Sequence, residues 1–138
     1  MARTVIDGMN VIGSRADGWW RDRDAAARRL LGRLQHAATR SRDALTLVLD
    51  GRPPADLPEG DHDGVEVRYA RRRGRDAADD RIVELVAADP APESLRVVTS
   101  DRDLVDRVTA LGATTEGAGA FPPPARRPRR VRAAISSP

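Results

Sequence analysis

Short apolar runs alternate along the chain with longer stretches of helical period. Val5-Ile6, opened by Thr4, predicts a short strand that closes on Asp7-Gly8, an acid and a turn residue. From Asp24 to Thr39, Ala26, Leu30, Leu31, Leu34, Ala37 and Ala38 fall at helical spacing, with Arg28, Arg29, Arg33 and Arg40 on the other side. "ALTLVLDG" predicts a second strand, apolar on both faces and again ending in Asp-Gly. "RPPADLPEGDHDG" reads as a loop from its Pro, Gly and Asp content. "VEVRYA" alternates as a strand near a sheet edge would. "DAADDRIVELVAAD" predicts a helix carrying Ile82, Val83, Leu85 and Val86, stopped by Pro90 and Pro92. "LRVVTSD" is a further strand closing on an acid. "DRDLVDRVTALG" is a helix with Leu104, Val105, Val108 and Leu111 inward and Gly112 as its C-cap. "ATTEGAG" predicts a short last strand.

Near-continuous apolar strands alternating with amphipathic helices imply an α/β fold of three layers, α/β/α, with a mostly parallel sheet covered on both faces. The 138 residues suffice for one domain and not two. We expect that domain over residues 1–120. Residues 121–138, rich in Pro and Arg and without periodicity, are expected to form an extended or disordered tail.

Composition changes this picture in two places. There is no Cys, hence no disulfide framework, and no long apolar run at the N-terminus, so neither a signal peptide nor a membrane span is expected and a cytoplasmic location is. Every basic residue is Arg. Five of the 24 lie beyond Gly117 with no acid among them, which leaves 19 against all 21 acids in the body. A slightly acidic body with a basic tail suits a polyanionic partner, nucleic acid above all, or serves solubility.

The acids carry the chemistry. Asp7, Asp50 and Asp101 each close an apolar strand, and Asp79 and Asp80 open a helix that follows one. In a parallel sheet these positions share the carboxyl edge, where ligands bind. Asp103 would be a sixth acid there. Two carboxylates ~4 Å apart repel by roughly 4 kcal/mol at an effective dielectric of ~20, so several together call for a hard divalent cation, Mg²⁺ or Mn²⁺. Such a set fits a phosphodiester hydrolase. The competing reading is that each Asp is a turn or N-cap residue; for Asp76 and Asp103 that is the simpler one, and Asp50-Gly51 is also an ordinary turn.

Three segments also resemble a known family. "VIDGMNVIG" is similar to the opening D-G-x-N-hydrophobic motif of NYN domains, specifically the YacP-like nucleases of the PIN-like group. "AADDRIVEL" resembles their second acidic segment and "VVTSD" their third, in the same order, between Val5 and about Leu111. The resemblance implies a PIN-like α/β/α fold, Mg²⁺ or Mn²⁺ at an acidic site, and endoribonuclease activity. By position, Asp7, Asn10, Asp79, Asp80 and Asp101 would be the catalytic set, with Asp7, Asp79, Asp101 and, through water, Asp103 at the metal. Met9 stands where an aromatic is common. Asn10 would hold a neighbouring carboxylate or a substrate phosphate, or tie down its own loop; Gly8 would allow a tight turn.

Single-stranded RNA is the expected partner, with association with the ribosome as a second expectation. Arg68, Arg71, Arg72, Arg73 and Arg75 precede the second acidic segment and could bind flanking phosphates, with Ser100 beside Asp101, or could be a solvated turn. The tail residues Arg126, Arg127, Arg129, Arg130 and Arg132 could add affinity independent of sequence. Trp19 and Trp20 could stack a base or anchor a loop, and Tyr69 and Phe121 read as packing residues. The alternative function is a non-catalytic RNA- or ribosome-binding module on the same fold. Other phosphoryl-transfer enzymes fit less well: Asp101-Arg102-Asp103 matches the D-x-D of Toprim domains, but Asp7 stands where they require Glu.

Overall fold

The computed structural model describes residues 3–71, 74 and 76–121. Among the described residues are six strands and four α-helices: β1 (Arg3–Asp7), α1 (Gly8–Gly13), α2 (Arg23–Arg40), β2 (Ala44–Leu49), β3 (Gly60–His62), β4 (Val65–Tyr69), α3 (Ala77–Ala87), β5 (Leu95–Val98), α4 (Arg102–Ala110) and β6 (Thr114–Glu116). They form one sheet in the order β3-β4-β2-β1-β5-β6, parallel except for β3. From β1 the chain adds β2 and β4 on one side, then crosses to add β5 and β6 on the other. The switch point therefore lies between β1 and β5.

The two faces of the sheet are read directly from the strand alternation. Ile6, Leu47, Leu49, Val65, Val67, Tyr69 and Val98 meet α1 and α2 through Val11, Ile12, Leu30, Leu31 and Leu34. Val5, Val48, Leu95 and Val97 meet α3 and α4 through Ile82, Val86, Leu104 and Val108. This is the three-layer arrangement that runs of apolar residues on both faces require. Asp22 caps α2, its carboxylate accepting from the Ala25 N–H at 3.0 Å, and Gly112 (φ 103°) closes α4 in the left-handed region that glycine favours. Tyr69 and Phe121 are buried, and the Tyr69 hydroxyl donates to the Leu57 carbonyl at 2.7 Å. Trp19 packs on the first core cluster and meets Trp20 edge-on, while Trp20 stays exposed. No described helix is long and apolar enough to cross a membrane.

Three local expectations are corrected. The segment read as one loop holds β3, which pairs antiparallel with β4 across Asp63-Gly64. Both turn residues have positive φ, 50° and 96°, the twist a two-residue hairpin needs. That places β4 second from the edge. Asp7-Gly8 is not a turn but the junction of β1 with the short helix α1. Gly8 is required there by space: an added Cβ would lie 2.7 Å from Leu49 Cδ2 and 2.8 Å from the Val48 carbonyl oxygen. Leu111, expected inward, is 37% exposed because α4 has ended before it. The predicted tail lies outside the described residues beyond Phe121.

Candidate functional site

Three segments distant in sequence meet at the switch point. Asp7 ends β1 on the same side as Val5, facing the α3–α4 layer, and is 4% exposed. Burial pushes its carboxyl pKa up. The Thr99 hydroxyl, which donates to Oδ2 at 2.9 Å, and the nearby Asn10 backbone N–H pull it down; the charges of Asp101 and Asp50 push it up again. The Asn10 N–H acts without closing a cap hydrogen bond. Thr99 Oγ1 also accepts from the Asp101 N–H at 3.1 Å, so one buried hydroxyl joins the first acid to the third. Asp101 caps α4, Oδ1 accepting from the Leu104 N–H at 3.2 Å.

Asp79 enters from the first turn of α3 and is half-buried. Burial, then the charges of Asp7, Asp101 and Asp76, push its pKa up to about 6; Arg107 opposes them. The cluster is therefore a set of carboxylates that repel one another and are partly stripped of water. Asp50 stands at its margin, ion-paired to Arg23 at 2.9 Å. Asp80, one residue along α3, pairs instead with Arg107 of α4 at 3.0 Å. Asp103 is exposed in the first turn of α4.

Asn10 resolves in a way that none of the sequence alternatives named. Its Oδ1 accepts from the Ser100 N–H at 2.8 Å, which ties α1 to the β5–α4 loop. Ser100 Oγ accepts from the Ala118 N–H at 2.9 Å, so the same loop is held to the end of the described chain. Thr99 and Arg107 were not singled out from sequence. Thr99 could have been found as a polar residue at the end of an apolar strand; Arg107 could not, because its partner lies on another helix.

The basic segment is divided. Arg71 pairs with Glu84 at 3.0 Å, and Arg72, Arg73 and Arg75 lie outside the described residues. Arg68 does not join the site. It pairs with Glu66 at 2.6 Å and lines a cavity with Arg3, Thr46 and Asp89 toward the amino ends of the strands, because the alternation of β4 turns it onto the sheet face. Arg81, 6% exposed, reaches Glu59 only at 4.0 Å and Glu84 at 3.8 Å, and its Nε has no partner among the described residues.

Asp7, Asp79 and Asp101 supply oxygen donors only, and their mutual repulsion is what a hard divalent cation relieves. In donor chemistry the set fits such an ion. Among the described residues no group of three or more acidic or histidine side chains converges closely enough to hold one. One or two of these carboxylates, completed by water or a substrate phosphate, is the kind of shell Mg²⁺ takes.

The six-stranded, mostly parallel sheet between helices is a PIN-like fold, and the family model that matches the chain is that of a ribonuclease-type domain. The chain belongs to the YacP-like NYN domain family, whose model matches residues 4–125. It is similar to two crystal structures of Rae1 (YacP) from Bacillus subtilis. A mutant form matches with a TM-score of 0.67 and 21% identity, over 86% of this chain and 70% of that one. A second structure matches with a TM-score of 0.61 and 24% identity over the same shares. At such identity the likeness is one of fold. None of the curated proteins compared with the chain matches it.

Proposed function

We propose that the chain is a metal-dependent endoribonuclease acting on single-stranded RNA, with Asp7, Asp79 and Asp101 holding Mg²⁺ or Mn²⁺. The observation that carries this reading is that Asp7, Asp79 and Asp101 meet at the switch point, where burial and the charges of Asp7 and Asp101 push the Asp79 carboxyl up to about 6. When bound, the cation would acidify a water and offset charge on the departing oxygen. The chain's own residues do the rest. Thr99 holds Oδ2 of Asp7, and the Asn10–Ser100 bond fixes the loop that presents Asp101. Arg107 offsets part of the negative charge of Asp79 and Asp80. Arg71, Arg72, Arg73 and Arg75 would attract the phosphates flanking the scissile bond.

Purified protein with Mn²⁺ or Mg²⁺ should cleave single-stranded RNA, and Asp7→Asn and Asp101→Asn should not. Equal cleavage by all three rejects the assignment. A second reading, a non-catalytic RNA- or ribosome-binding module, is favoured by two observations: among the described residues no group of three or more acids closes around an ion, and Asp80 is ion-paired to Arg107. RNA binding without metal-dependent cleavage over a broad substrate panel would select it.

A further inference from the structure

Across the carboxyl edge from Asp79, on the α1–α2 side of the sheet, lies a cavity of about 120 Å³. Met9, two residues from Asp7, forms one wall. Ala27, Leu49, Leu57 and Tyr69 make the rest of the interior apolar. The four are already buried, and the Tyr69 ring is fixed by its hydroxyl bond to Leu57. The mouth is polar: Asp24, Asp50, Arg23 and Arg52 surround it, and the Arg23–Asp50 ion pair spans it from the start of α2 to the end of β2. The cavity opens beside the acids, since Asp50 lines it and its charge is felt at Asp7.

Size and lining select the occupant. The volume is well below that of a site for a drug-sized molecule. Apolar walls suit the faces of a flat ring. Two carboxylates at the mouth accept hydrogen bonds and so suit a ring whose edge carries amino hydrogens, as an exocyclic NH₂ does. The two guanidiniums at the same mouth suit the phosphates on either side of that ring.

We propose that this cavity is a subsite for one unpaired nucleobase bearing an exocyclic amino group, in the RNA strand that crosses the acidic edge. It deepens the nuclease reading and rests on it. Uracil carries O4 where cytosine carries the amino group and has only its ring N3–H to donate, so it would offer the Asp24 and Asp50 carboxylates fewer donors and set O4 against them, acceptor to acceptor. The subsite thus gives the protein a base preference that the acidic cluster, which touches only phosphate, cannot supply.

The test measures binding apart from cleavage. Fluorescein-labelled hexamers of adenosine, cytidine and uridine are titrated by anisotropy against the full chain in EDTA. The wild type should bind the adenosine and cytidine hexamers about tenfold more tightly than the uridine hexamer, the weight of one set of base-edge hydrogen bonds. Asp24→Ala, an exposed position, should remove most of that ranking. Ala27→Met, which fills the cavity, should weaken the adenosine and cytidine hexamers and leave uridine unchanged. Equal affinity for the three hexamers, or both variants keeping the wild-type ranking, overturns the subsite. Cleavage by the same proteins in Mn²⁺ separates the two readings. Asp7-dependent cleavage with no base ranking sinks only the subsite, whereas a base ranking with no Asp7-dependent cleavage sinks only the nuclease.

Discussion

Replacing Asp79 by Asn should stabilise the metal-free protein at neutral pH and not in acid. The groups facing Asp79 are Asp7 at the end of β1, Asp101 at the start of α4, Asp76 just before α3, and Arg107 on α4. Burial and the three acids outweigh the guanidinium, and the carboxyl moves from 3.8 to about 6. A raised folded-state pKa means that the site's contribution is fully present below about 3.8 and is lost as pH rises through about 6. Without water the shift would amount to about 3 kcal/mol. Asp79 is only half-buried, and screening reduces this to about 1 kcal/mol. For a domain of this size that is about 4 °C in Tm. Thermal melts followed by circular dichroism in EDTA should therefore show Asp79→Asn melting about 4 °C above wild type at pH 7.5, with the gap falling to about half at pH 5 and closing below about pH 4. A variant that melts lower at pH 7.5, or a gap undiminished at pH 4, would refute the claim that burial and its neighbours' charge strain Asp79.

The remaining predictions concern how the site is held. Gly8→Ala should cost about 1–3 kcal/mol in denaturant unfolding, because its Cβ meets Leu49 and the Val48 carbonyl, whereas Gly32→Ala, with open space around it, should stabilise α2 by about 0.5–1 kcal/mol. Thr99→Val removes the hydroxyl between Asp7 and the Asp101 N–H. It should destabilise the protein by about 1–3 kcal/mol and move the apparent pKa of Asp7, followed by carboxyl NMR, further up. Arg107→Gln should change stability by less than about 1 kcal/mol yet raise the Asp79 pKa, also read by NMR, since the pair it breaks is solvent-facing while its charge opposes the cluster.

Much of this architecture is written in the alternation of the strands and the spacing of the helices. The runs at Val5-Ile6, Leu45–Leu49 and Leu95–Val98 are apolar on both faces because each is covered on both, and that alone implies a parallel sheet and one shared edge for the acids. The convergence of Asp7, Asp79 and Asp101 follows from that topology. What escaped were contacts between elements. Asp80 meets Arg107 only because α3 packs on α4, and Asn10 meets Ser100 only because β1 and β5 are neighbours at the switch point. The hairpin of β3 was legible in principle. Asp63-Gly64 is the dipeptide such a turn prefers, but the preceding Pro and Asp residues read as loop, and a three-residue strand has no period of its own. α1 is likewise too short to show a helical repeat, and it forms where Gly8 lets the chain pass close over β2.

Crystals of the full chain soaked in Mn²⁺ give the most direct view of the central claim. The account predicts an anomalous peak between Asp7 and Asp101, with a carboxylate oxygen of Asp79 turned toward it, in wild type and not in Asp7→Asn. Manganese bound elsewhere while the three acids keep their metal-free positions would contradict it.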